Sequence, residues 1–502
     1  MVKYLISVLC SIFLCVEIFC IKVLPVLKKT FPLENTDAVL FTLTQNVDGS
    51  RDFAISLVLD TLKQALFLTI LLVLAAFVVL SIIHLLQKRN ILKFYNRLSY
   101  KAIVVALNAV SIAIFAKNIY TDIPVSDYYV AWKDSFSTPQ HSVFYQSEYV
   151  NPDSVQIEFK ERRNLILIFL ESMEYNFQDS VNGGNLKENL IPEITGYLKN
   201  EQSFVPGGVA VSGMGWTMAD VVAKTCGIPL VFPPSIKGRV APLTSFLPGT
   251  TCLTDLLIRN DYNVIVSQGT NLKFSGMDVF LKSHSSPEAY GLMYYLRDER
   301  VKKDSTTNWG VKDSLHYELI KEHISRISKE KKPWAVWMFT IDTHTPYGFL
   351  DSKCAPDSMV SKKKQMPYVI RCASRQVDSF IKWAKTQEWY GNTVIAVMGD
   401  HAMMAAPELV GFRDTSFTHY WLDFFINSSK DAGNYKREFT SLDMFPTILE
   451  SMGAEIPNGA LGLGRSLYSK EPTLLEKYGA DFLSKAISKR SIEYDYFLFY
   501  RK

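Results

Sequence analysis

The sequence predicts an α/β protein in which N-terminal transmembrane helices precede a domain with a mostly parallel sheet flanked by helices. Two observations carry the fold. Three apolar stretches lie before Lys117, and from Arg163 onward short apolar runs alternate with helix-like segments. Such alternation marks a parallel sheet covered on both faces. A third observation bears on function. Polar residues stand just past the ends of the apolar runs, where an open α/β sheet binds its ligands. The length of 502 residues exceeds one ordinary domain. The net charge of +4 is spread along the chain, which gives no case for nucleic-acid binding.

The first apolar stretch, Tyr4–Val23, follows a basic MVK start. No small-residue cleavage site follows it, so it reads as an uncleaved span in spite of Glu17. The second, Ala65–Leu86, carries no charge and only His84 as a titratable group. It is long enough to cross a bilayer, whereas Ala102–Ala116 needs its flanks to do so. Lys88, Arg89, Lys93, Arg97 and Lys101 crowd the loop between the second and third stretches. That loop is predicted to be cytoplasmic and everything after about Lys117 to lie outside, although Lys22, Lys28 and Lys29 run against this orientation. Asp37–Leu43 and Phe53–Leu62 read as interfacial helices. From Tyr120 to Ser154 aromatic residues, among them Phe144, Tyr145 and Tyr149, predict a connector lying against headgroups. The alternative is a loop packed on the domain. The expected organisation is therefore a membrane region over 1–119 with about three spans, a connector over 120–160, a catalytic domain over 161–470 and a tail over 471–502.

Cys10, Cys15 and Cys20 do not share one helical face and read as packing residues. Cys226, Cys252, Cys354 and Cys372 make an even number in a domain expected to lie outside, which suggests disulfides. Sequence neighbours would pair, Cys226 with Cys252 and Cys354 with Cys372. Four buried free thiols are the alternative.

Within the domain the predicted strands are Asn164–Leu170, Asn263–Val266, Trp334–Ile341, Thr393–Met398 and Tyr420–Ile426, and Lys312–Lys329 and Ala373–Thr386 are predicted helices. The first strand runs into Glu171, the third into Asp342, Thr343 and His344, and the fourth into Asp400 and His401. A glycine turn delivers Thr217 at the start of the helix-like run TMADVVAKTC. With Asp220 three residues on, the ordinary reading of Thr217 is an N-cap. Singly, each of these polar residues also suits an ordinary turn. Jointly they supply two carboxylates, two imidazoles and a hydroxyl, an oxygen and nitrogen set suited to a divalent metal.

The ordered pieces LESMEYN, GWTMADVVAKTCGIPL, CLTDLL, GTNLKFSGMDVFLKSH, NWGVKDS, TIDTHTPYGF, GDHAMM and LGLGRSL run from residue 160 to 468, and DAVLFTLTQNVDG precedes them. In these pieces the chain resembles the alkaline phosphatase/sulfatase superfamily. It is similar to the phosphoglycerol transferase I type of periplasmic glucan modification, and more distantly to lipoteichoic acid synthases and phosphoethanolamine transferases. The resemblance implies an alkaline-phosphatase-like fold. It also implies that Glu171, Thr217, Asp400 and His401 hold one divalent metal ion, zinc or manganese, with Thr217 as nucleophile and His344 near the phosphate and acceptor. Gln268, Lys273, Phe274 and Trp309 fall in substrate-side motifs, and His284 matches a family position with a structural reading beside it. The four domain cysteines fall where the family has cysteines.

The activity so implied is transfer of phosphoglycerol from a phospholipid donor, phosphatidylglycerol, to a glycan acceptor. The chain is then an integral protein of a bacterial inner membrane with its catalytic domain in the periplasm. The alternatives are a phosphoethanolamine transferase acting on lipopolysaccharide, a phosphodiester hydrolase of the same fold, and an inactive scaffold. Sulfate-ester hydrolysis is not expected. The family's formylglycine precursor has a C-x-P-x-R pattern, whereas CGIPL places Pro229 three residues after Cys226 and Leu, not Arg, at position 230.

Overall fold

The structure, a computed structural model, describes residues 138–231, 244–345, 347–356, 359–403, 406–413, 417–431 and 436–500, with scattered N-terminal positions whose longest run is 61–71. Contacts divide the chain into two compact units, and residues 131–502 belong to the second. No helix among the described residues is long and apolar enough to cross a membrane. The three apolar stretches and the interfacial segments expected from the sequence fall mostly or wholly outside the described residues.

The second unit is built on a seven-stranded sheet. Its strands are β1 (Asn164–Leu170), β2 (Gln202–Ser203), β3 (Asn263–Gln268), β4 (Glu288–Tyr290), β5 (Trp334–Phe339), β6 (Thr393–Gly399) and β7 (Asp423–Ile426). They lie in the order β2-β7-β6-β1-β5-β3-β4. The central pairs β6-β1, β1-β5, β5-β3 and β3-β4 are parallel, and β7 and β2 run antiparallel at one edge. The central strands are buried along their whole length. Their side chains divide by the two-residue period of a strand. Leu165, Leu167, Phe169, Val394, Ala396 and Met398 enter one core, and Ile166, Ile168, Leu170, Ile395 and Val397 enter the other. The sequence reading missed β2 and β4, which are too short to show a period.

Helices cover both faces. α1 (Pro192–Asn200), α4 (Asp313–Ile327) and α5 (Met366–Lys385) pack on the second core, and α2 (Thr217–Cys226), α3 (Leu253–Arg259) and α6 (Met444–Ser451) on the first. α5 begins seven residues before the predicted Ala373, because Pro367 is accommodated in its first turn. α2 corrects the capping reading. Its N-cap is Trp216, in extended backbone, and Thr217 is the first helical residue. Gly227 ends the helix with φ 67°, a conformation open to glycine.

Two disulfides join Cys226 to Cys252 and Cys354 to Cys372. The first links the last residue of α2 to the N-cap of α3. The segment read as a headgroup connector instead packs on the domain over its described part. Tyr145 is buried and its hydroxyl donates to the Ile487 carbonyl at 3.1 Å. Glu148 pairs with Lys477 at 2.7 Å and Arg465 at 3.2 Å. The C-terminal tail is stitched into the same edge, where the Val231 amide donates to the Tyr494 hydroxyl at 2.7 Å.

The Cys226–Cys252 bridge closes a separation of 26 residues, so its loss should release the chain entropy of a loop of that size. The double variant Cys226→Ser/Cys252→Ser is expected to lose about 3 kcal/mol in denaturant unfolding. Dithiothreitol should lower the parent by at least the same amount and should lower the variant, which keeps only the Cys354–Cys372 bridge, by less.

Candidate active site

Strand register brings the first residues of the site together. In the parallel β1–β6 pair Leu170 lies opposite Gly399, so the next residues, Glu171 and Asp400, leave the sheet side by side. The Asp400 amide donates to the Leu170 carbonyl at 3.1 Å, which continues the pairing one step beyond the strands. Gly399 is required there, because a Cβ would stand 2.0 Å from the Met173 carbonyl oxygen. Asp400 is then fixed by two amides on one oxygen, from Ser172 at 2.7 Å and His401 at 2.8 Å. Glu171 accepts from the Ser172 hydroxyl at 2.7 Å, and its amide donates to Thr340 Oγ1 on the adjoining strand end at 2.9 Å.

His401 closes the cluster. Its Nε2 lies 3.5 Å from Asp400 Oδ2 and 3.7 Å from Glu171 Oε1. Its Nδ1 lies 2.9 Å from the Ala402 carbonyl. A carbonyl only accepts, so Nδ1 carries the proton and Nε2 of the neutral ring offers its lone pair to the cluster. Thr217 Oγ1, delivered by α2, stands 3.3 Å from that same Nε2. The carboxylate oxygens of Glu171 and Asp400 and a ring nitrogen of His401 all lie within 4.8 Å of one another.

These groups are ill-suited to remain without a cation. Burial pushes the Asp400 carboxyl up to about 7, with the neighbouring Glu171 charge adding to the effect. Burial alone would lower the His401 pKa, but the Asp400 and Glu171 carboxylates outweigh it and raise it to about 9. The site thus holds protons where a divalent ion could replace them. Two carboxylates, a bare imidazole nitrogen and a hydroxyl match the donor preferences of zinc or manganese.

A second trio, Cys252, Asp255 and His284, also clusters, but the Cys252 sulfur is consumed in the disulfide. His284 there is a structural residue. Its Nδ1 pairs with Asp255 at 2.9 Å, and Asp255 caps the first turn of α3 through the Cys252 amide at 2.9 Å.

Thr217 and Glu171 line a cavity whose other walls include Gln268 at the end of β3, Phe274, Trp309 and His344. Trp309 packs against the His344 ring at a tilt of 32° with centroids 4.1 Å apart and meets Phe274 edge-on at 5.3 Å. The His344 Nδ1 donates to the Thr345 carbonyl at 2.8 Å, so the acceptor nitrogen of the neutral ring is Nε2. Lys273 is exposed beside this wall and is not part of the lining.

The sequence reading passed over two further features. Glu174, fully buried, accepts from His419 Nδ1 at 2.6 Å and from the Met403 amide at 2.8 Å. It lies three residues past Glu171, and Met403 two past His401, so it joins the two loops that carry the cluster. Its position inside LESMEYN was the available signal. The second is the Asp313–Asp342 pair. Asp313 accepts from the amides of Ile341 at 2.8 Å and Asp342 at 3.0 Å, and Asp342 accepts from the Asp313 amide at 3.2 Å. This reciprocal clasp fastens the segment after Trp309 to the turn that carries His344.

Comparison with known proteins adds three findings. The family model described as Sulfatase matches residues 163–454. Proteins named phosphoglycerol transferase I from Escherichia fergusonii and Citrobacter koseri are each 31% identical over an alignment covering 61% of this chain and 39% of theirs. The chain therefore spans less than half the length of these relatives in the match. A solved structure of an alkaline phosphatase superfamily protein from Vibrio parahaemolyticus superposes with a TM-score of 0.50 and 19% identity, over 69% of this chain and 79% of that one. This last likeness speaks for the fold.

Two predictions follow from this geometry. Titration of the purified chain with zinc or manganese chloride should show one tight site, and Asp400→Asn should weaken it by about tenfold or more. The acid clasp gives a stability profile. Burial, with the nearby charge of Glu171 adding, pushes Asp313 from 3.8 up to about 7. Below the ordinary value both folded and unfolded chains keep the proton. Between there and about 7 the unfolded chain releases it first, so stability falls as pH rises. Asp342→Asn should flatten this fall and raise the melting temperature at pH 8 by about 2 °C relative to the parent.

Proposed function

We propose, from the premise that the chain belongs to the sulfatase family, that it transfers phosphoglycerol from phosphatidylglycerol to a hydroxyl of a periplasmic or cell-surface glycan through a phosphothreonine at Thr217. The observation that carries the reading is the Thr217 hydroxyl at the meeting point of the Glu171–Asp400–His401 cluster and the cavity walled by His344. The relatives named for this activity support the donor group.

A free threonine hydroxyl is a weak nucleophile at neutral pH. Glu171, Thr217, Asp400 and His401 would hold a divalent cation, zinc or manganese, which when bound would supply a lowered hydroxyl pKa and charge neutralisation on the phosphoryl oxygens. The N-terminus of the ten-residue α2 adds amide dipoles at the phosphate. Thr217 Oγ1 forms the new bond to phosphorus, and the bond from phosphorus to the diacylglycerol oxygen breaks. The Thr217 proton ends on diacylglycerol. In the second half the acceptor oxygen attacks phosphorus, the threonine ester bond breaks, and the acceptor's proton returns to Thr217. His344 Nε2 is the atom proposed to carry the proton in both halves. Gln268, Phe274 and Trp309 are proposed to hold the head group or acceptor, with Lys273 at the rim.

Cys226 does not serve as a sulfatase nucleophile, because it is bonded to Cys252 at the far end of α2. The apolar stretches before Lys117 are proposed as the anchor that holds the site beside a donor confined to the bilayer, with residues 161–470 as the catalytic domain outside. Disulfides in that domain suit an oxidising compartment.

Incubation with phosphatidylglycerol labelled in its head glycerol should place label on the Thr217 peptide, detected by mass spectrometry, and then on glycan. Thr217→Ala should lower turnover by about a thousandfold or more and leave no labelled peptide. Glycan labelling from phosphatidylethanolamine instead would reassign the donor. Diacylglycerol release without glycan labelling would make the chain a hydrolase.

A further inference from the structure

We infer that Lys224 is a positioning residue for this reaction: its buried ammonium ties the helix presenting Thr217 to the strand end presenting Asp400. The inference rests on the roles proposed above for those two residues. Lys224 is among the largest fully buried side chains of the chain. Its Nζ donates to the Gly399 carbonyl at 2.5 Å, one residue before Asp400. The same nitrogen lies 2.8 Å from Asp220 Oδ2 and 3.9 Å from Asp423 Oδ1, and 5.2 Å from the centre of the Trp421 ring. Asp220 in turn accepts from the Ser441 hydroxyl.

The helical spacing explains why one side chain can do this. Thr217, Asp220 and Lys224 stand at i, i+3 and i+7, so they share one face of α2. That face looks onto the ends of β6 and β7. Gly399 is held from the other side, its amide donating to the Leu422 carbonyl at 2.8 Å. Gly399 is thus gripped through its amide by Leu422, the residue just before β7, and through its carbonyl by α2. The grip sets how far α2 stands from the loop of Asp400 and His401, and hence where Thr217 Oγ1 meets them. An apolar residue would fill the same space without the desolvation penalty of a buried ammonium, which argues for a directional role.

The rival role is simple neutralisation of Asp220 and Asp423. Two variants separate the roles. Lys224→Met removes one positive charge, and Lys224→Met/Asp423→Asn removes one charge of each sign, leaving the net charge unchanged. In the full chain the double variant is expected to melt within a few degrees of the parent. Its zinc dissociation constant, titrated with zinc chloride alone, should rise about tenfold, and its kcat with phosphatidylglycerol vesicles should fall about tenfold to a hundredfold. KM should stay within twofold. Zinc affinity and kcat both within twofold of the parent in the double variant would overturn the proposal, as would tighter zinc binding in the single variant Lys224→Met, the result expected of a mere neighbouring charge. If the methionine double variant does not fold, Lys224→Gln/Asp423→Asn is read in the same way. Full transfer activity in Thr217→Ala would refute the proposed reaction itself, while the zinc titration would still report on Lys224.

Discussion

The parallel pairing of β1 with β6 is the constraint from which the site is built. Once Leu170 lies opposite Gly399, two acids in the next position cannot avoid each other. A shift of one residue would turn one of them to the opposite face of the sheet. The chain protects this register locally. Gly399 admits the Met173 carbonyl where any side chain would collide, and the Asp400 carboxylate is locked by amides from both loops. The repulsion between the acids is accepted because register, amide bonds and His401 together hold them, and a cation is the natural partner for what remains.

Much of this arrangement is legible in the amino-acid sequence. The short apolar runs NLILIFL and TVIAVM read as strands buried on both faces, as the structure has them, and polar residues at their ends mark the crevice of an open sheet. The strand positions therefore located Glu171, Asp400 and His401 at one end of the fold. The resemblance of the flanking motifs supplied roles that spacing alone does not. What escaped was of another kind. Thr217 reads as a helix cap because its neighbour Asp220 completes the pattern, yet Asp220 faces Lys224 and Ser441 in the interior. Lys273 sits within a cavity-lining motif but is exposed and outside the lining. Short-range patterns report which residues are near in sequence. They do not report which side of a turn a side chain leaves from.

The aromatic segment before the domain shows the same limit. Tyr and Trp at a membrane boundary and Tyr in a packed core have the same composition, and only the partners distinguish them. Here Tyr145 and Tyr149 meet Phe497, with ring centroids 6.1 and 4.7 Å apart, in the C-terminal tail. The beginning and end of the described domain thus seal one another, a contact between residues more than 300 positions apart that no local reading can find.

The two sides of the cavity differ in how they are held. Thr217 rides on a helix fastened at its end by a disulfide and along its face by Lys224, and Glu171, Asp400 and His401 follow directly from central strands. Phe274, on a single 3-10 turn, and Trp309 and His344, on loops, are steadied instead by ring contacts and by the Asp313–Asp342 clasp. In the proposed reaction, chemistry at phosphorus needs fixed distances, whereas recognition of a head group or a sugar can be altered loop by loop without disturbing them. For the proposed reaction a change of donor or acceptor would accordingly fall on the loop side, because any change on the helix and strand side would move the hydroxyl away from its partners and end that reaction for every substrate.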